Sequence, residues 1–244
     1  MRRSVYFISI VMLSLIFTGC SGNSNVKENA NTPSTLINSE KTNSQGQDPQ
    51  STKEETAITG NITWKAQYEP IGTFAVNMVL SQSTDQGKTW TIVTSSDQEG
   101  STIPGGAESF TFTDANTGWI VTNTPAEGKV GAYKSIDGGK SWFDLNLPVP
   151  GELKSSNIKA VLPYFLNKDI CVMMTTQTDE SAESSKGLFY VSMDGGVEWS
   201  PIFNQREGTV KSLHWSRDEN NNYSFFMGKG KWEFTGSQWL RNSK

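Results

Sequence analysis

The side chains able to do chemistry are few and scattered. His214 is the only histidine, which excludes a two-histidine zinc site and leaves a catalytic dyad or triad as the remaining option. It stands in Val210-Lys211-Ser212-Leu213-His214-Trp215, an alternating stretch that reads as an ordinary strand. Cys20 and Cys171 are the only cysteines. Cys171 lies in Asp169-Ile170-Cys171-Val172-Met173-Met174, an apolar run that reads as a core strand, so its thiol is expected to act as a small hydrophobe. Glu108, Asp169 and Glu233 are candidates for a two-carboxylate glycosidase, and nothing in the sequence marks a pair among them. After the first three residues arginine occurs only as Arg206, Arg217 and Arg241. No arginine lies between Arg3 and Arg206, so the guanidinium groups are confined to the last stretch of the sequence. No phosphate-binding loop, nucleophile elbow or metal signature occurs.

The elements that would position such groups announce themselves as a repeat. The pattern Ser-x-Asp-x-Gly-x-x-Trp occurs three times, as Ser83, Asp85, Gly87 and Trp90; Ser135, Asp137, Gly139 and Trp142; and Ser192, Asp194, Gly196 and Trp199. The serines stand 135 − 83 = 52 and 192 − 135 = 57 positions apart, the spacing of one supersecondary unit used again and again. Apolar alternation flanks each copy, as in Val130-Gly131-Ala132-Tyr133-Lys134 before the second. Two strands joined by a turn are expected there. The aspartate accepts backbone N–H groups, the glycine supplies a positive φ, and the tryptophan covers the turn.

This octapeptide resembles the Asp-box, or bacterial neuraminidase repeat. The resemblance implies a hairpin between the third and fourth strands of a β-propeller blade, with a structural role for all twelve named residues. The stretch Phe112-Thr113-Asp114-Ala115-Asn116-Thr117-Gly118-Trp119, followed by Tyr133 to Trp142, is similar to the repeat of photosystem II stability and assembly-factor propellers. Members of that type act as binding scaffolds or assembly helpers, which implies a non-catalytic role. Sialidases share the Asp-box, so a sialidase-like glycoside hydrolase or a glycan-binding protein is the alternative.

Four units of about four strands are expected, the last without the octapeptide. The fold class predicted is all-β: a small propeller of about four antiparallel blades closed by pairing an N-terminal strand with the last blade, or else an open stack of sheets. Trp64, Trp215, Trp232 and Trp239 are expected to fill spaces between blades.

The N-terminus carries its own signal. Arg2 and Arg3 precede an apolar run from Val5 to Phe17, then Thr18-Gly19-Cys20. The run is too short to span a bilayer and reads as a secretory signal over residues 1–19. The Gly-Cys junction is similar to a bacterial lipobox, with Phe17 where leucine is usual; the resemblance implies a lipid on Cys20. Residues 20–58 are rich in Ser, Asn, Thr, Gln and Lys and read as a tether, leaving 59–244 as the folded domain. The formal charge is −4, and the signal holds two arginines and no acid, so the mature chain is near −4 − 2 = −6. Such a balance argues against nucleic-acid binding. The expected protein is an envelope lipoprotein on the outer face of a membrane, Gram-positive by tether composition, without cofactor or metal, binding an unknown protein or glycan.

Overall fold

The computed structural model describes residues 52–72, 75–123, 125–177, 187–236 and 238–243. The expected signal, Cys20 and most of the tether lie outside the described residues. The rest is all-β, in four antiparallel sheets. The first holds β1 (Lys53–Thr59), β2 (Ile62–Pro70), β3 (Val76–Ser83) and β4 (Thr91–Ser95). The second holds β5 (Ala107–Phe112), β6 (Gly118–Thr122), β7 (Ala132–Ser135) and β8 (Phe143–Asp144). The third holds β9 (Ile158–Ala160), β10 (Tyr164–Phe165), β11 (Cys171–Gln177), β12 (Leu188–Ser192) and β13 (Ser200–Phe203). Here β9 and β10 pair with successive parts of β11, as one edge strand interrupted around Pro163, where the missing N–H is tolerated. The fourth holds β14 (Glu207–Val210), β15 (Leu213–Arg217), β16 (Tyr223–Met227), β17 (Gly230–Phe234) and β18 (Trp239–Ser243). Each octapeptide joins the last two strands of its sheet.

Burial identifies the order of stacking. Every residue of β6 and of β12 is buried, so the second and third sheets are covered on both faces. In β2 and β15 burial alternates along the strand, so the first and fourth sheets each turn one face to solvent. Three apolar cores join the sheets in sequence. Trp64, Leu80, Phe112 and Trp142 belong to the first; Val121, Ile158, Met173 and Tyr190 to the second; Val172, Phe189, Trp215 and Trp232 to the third. No core cluster among the described residues joins the fourth sheet back to the first. The arrangement is an open stack. The N-terminal strand that ring closure called for is β1, and it pairs along its whole length with β2.

The first strand begins at Lys53, inside the stretch expected as tether. Its polar sequence hides it, because its side chains are consumed by the neighbouring sheet. Lys53 Nζ donates to Glu108 O (2.6 Å) and Thr59 Oγ1 to Phe112 O (2.8 Å), occupying carbonyls on the free edge of β5.

The fourth sheet also departs from expectation. The connections over 96–106 and 145–157 are long enough to return the chain to the first-strand side of the next sheet, whereas 204–206 is not. The fourth sheet therefore starts beside β13 and runs back across the third. Trp239 on β18, its last strand, stacks on Tyr164 of β10 with centroids 4.6 Å apart, while Trp215 on β15 meets Phe189 of β12 edge-on. The expected strand Val210–Trp215 is broken at Lys211, which has φ 53°, into β14 and β15. This sheet covers the third rather than repeating it.

The first sheet ends the stack by substitution. Counted back from the octapeptide serine through the pairing register, Phe110, Ile120 and Tyr133 form one row on the second sheet, facing the first. The same row on the first sheet is Thr56, Lys65 and Ser81, and the next changes Phe112 to Ile58. Polar outer faces on terminal repeats keep a stack from growing. Restoring the apolar row with Thr56→Phe and Lys65→Ile is expected to drive concentration-dependent self-association in sedimentation velocity. An unchanged sedimentation coefficient at every concentration would contradict this capping role.

Candidate functional site

The polar chemistry that repeats is that of the octapeptides. Ser83 Oγ donates to Asp85 Oδ1 (2.7 Å) and accepts from Gly87 N–H (2.8 Å). The same pair of bonds recurs at Ser135 (2.8 and 2.9 Å) and Ser192 (2.7 and 2.8 Å). The aspartate then accepts the N–H four residues on, from Thr89 (2.9 Å), Ser141 (3.0 Å) and Glu198 (3.0 Å). Thr89 and Ser141 add their hydroxyls at 2.6 Å; in the third copy the N–H of Val197 joins instead at 3.0 Å. The glycines take φ of +84°, +88° and +81°, a region that disfavours other residues. Two turn tips also bond to a turn at the same end of their sheet, Gly138 N–H to Asn116 O and Gly195 N–H to Asp169 O.

The tryptophans distinguish the copies. Trp142 donates Nε1–H to Gly139 O (3.0 Å) and meets Phe112 edge-on in the core shared with the first sheet. Trp199 meets Trp119 of the second sheet edge-on, centroids 6.0 Å apart. Each ring is thus wedged toward the preceding sheet. Among the described residues no sheet precedes the first, and there Lys65 Nζ sits over the half-buried Trp90, 4.6 Å from the ring centroid, a cation–π contact in place of a packed neighbour. Lys134 belongs to no octapeptide in the sequence. It is buried between the second and third sheets, where Nζ donates to Gly196 O (2.9 Å) and lies over the Trp119 ring. Desolvation lowers its pKa. The only signal for it is a charge in an otherwise apolar strand.

The candidate catalytic groups are spread over three sheets, with His214, Glu233 and the arginines in or beside the fourth. Cys171 is fully buried on the third sheet, and burial pushes its thiol up to about 12. His214 is exposed on the fourth sheet, its Nδ1 2.8 Å from Thr209 Oγ1. Glu108 is on β5 of the second sheet. Asp169 is in a turn of the third, against Lys168 (2.7 Å). Glu233 is on the fourth, against Lys231 (2.6 Å). Arg206, Arg217 and Arg241 all belong to the fourth sheet and the chain entering it. Arg217 bonds to Arg206 through its backbone, and Arg241 lies beyond β16 and β17.

A polar cluster not anticipated from the sequence lies where β1 meets β5. Glu55 accepts from Ser109 Oγ (2.9 Å) and from the Tyr68 hydroxyl (3.2 Å), and pairs with Lys53 (2.8 Å). Burial, then the neighbouring Glu55 and Glu108 charges, raise the Tyr68 pKa far above the usual phenol range, so it is a neutral donor at physiological pH. A carboxylate with three partners works as a latch between two sheets. It escapes sequence reasoning because half of it falls in the stretch read as tether.

Among the described residues no group of three His, Cys, Asp or Glu side chains is placed to hold a metal, and no helix is long and apolar enough to cross a membrane. An open depression of about 540 Å³ lies by Ile71, Val76, Ser96 and Ile103. Neither the family models nor the curated proteins yield a match to this chain.

Two outcomes follow from the turn geometry. A Cβ at Gly139 would lie 2.6 Å from Leu80, and one at Gly196 2.4 Å from Trp119, whereas at Gly87 the nearest atom is 3.4 Å away, on Trp90. All three alanine variants suffer the positive φ. Gly139→Ala and Gly196→Ala are expected to lose a further ~1–3 kcal/mol in urea unfolding, from overpacking; equal losses at all three would contradict the wedging.

The second outcome concerns acid. Hydrogen bonds from Thr89 lower Asp85 to about 2. At Asp137 and Asp194 partial desolvation opposes the shift, but bonds from Ser141 and from the Glu198 N–H outweigh it and both are also lowered. Folded values below the unfolded carboxylate value of about 3.9 stabilise the fold fully above that pH, and the contribution vanishes as pH falls through the folded values. Stability measured by chemical denaturation should therefore drop between about pH 4 and 2. Asp85→Asn with Asp137→Asn should flatten that drop; an unchanged slope would refute the assignment.

Proposed function

We propose that this chain is a non-catalytic lipoprotein of the cell envelope, anchored through Cys20, that holds a protein partner on a stack of β-sheets and serves the assembly or stability of an envelope complex. The observation that carries this reading is the dispersal of reactive groups. Glu108, Asp169 and Glu233 occupy three different sheets, the last two in ion pairs with neighbouring lysines, and the octapeptide carboxylates are spent on their own turns. The arginines a sialidase needs around its substrate all lie in or beside the fourth sheet. The resemblance to assembly-factor propellers points the same way.

Crosslinking in intact cells tests the partner. Recovery of a discrete envelope protein, with no ligand bound on a glycan array by the chain from residue 21 onward, is the expected result. Specific glycan binding or glycan cleavage without a protein partner would overturn it in favour of the sugar reading. For the anchor, Cys20→Ser is expected to release the protein to the medium or leave the precursor uncleaved. Unchanged membrane retention with normal cleavage would rule out lipidation.

A further inference from the structure

We draw no further inference here: the strongest candidate, the solvent-facing side of the first sheet around the half-buried Trp90, has that ring already covered by Lys65 at 4.6 Å, and nothing in the structure shows what else would sit on it.

Discussion

A serine hydroxyl that donates a hydrogen bond to an aspartate and accepts one from a glycine N–H is the contact on which this molecule turns. In all three copies that serine is buried, so each bond lost would leave a buried group unsatisfied at a cost of about 1–3 kcal/mol. The bonds fix a short turn, the turn fixes the glycine at positive φ, and the bare glycine lets the neighbouring sheet approach. At Gly139 that neighbour is Leu80, and at Gly196 it is Trp119. The tryptophan three residues on then fills the space beside the turn. Local hydrogen bonding and packing between sheets are one device: the turn cannot change shape without opening the core next to it.

The same device explains how the stack ends. On the first sheet the octapeptide keeps its Ser83–Asp85, Gly87–Ser83 and Thr89–Asp85 bonds, but among the described residues its tryptophan has no preceding sheet to enter, and Lys65 closes over it. At the other end a five-stranded sheet without an octapeptide is laid across the third in reverse order. The short 204–206 connection permits only that direction. Both ends put polar side chains outward beside a few exposed apolar ones, Ile58 and Ile92 on the first sheet and Phe226 and Leu240 on the fourth, and the four sheets stack without a ring. Lys134 and the Glu55 latch add polar ties across the second and first interfaces, each satisfied by partners on the adjoining sheet.

The octapeptides made the three hairpins and the all-β class legible, because Ser, Asp, Gly and Trp at fixed offsets have few other physical uses. The strand-rich units around Trp119, Tyr133 and Tyr190 were legible by alternation. Three features were not. The strand from Lys53 looks like tether because its stabilising partners lie on β5, some 55 positions away. The expected ring closure gives way to the open stack, since closure depends on which faces are polar, and that needs the register that aligns Lys65 with Ile120. The reversed fourth sheet is encoded only in a connection length. At the level of function the sequence separated histidine, cysteine and carboxylates along the chain, and the fold places Cys171 in the third sheet, His214 and Glu233 in the fourth, and Glu108 in the second. The partner surface has no comparable mark, because binding between proteins needs no fixed residue spacing.

Amide hydrogen exchange at the three octapeptide glycines tests the central claim most directly. The account predicts that the Gly139 and Gly196 N–H groups, bonded to buried serines between packed sheets, exchange only with opening of the core. The Gly87 N–H makes the same bond to Ser83, in a turn whose tryptophan is covered by Lys65 instead of a sheet, and should exchange markedly faster. Equal protection at all three would mean that the turns stand alone, and that the packing of neighbouring sheets does not depend on them.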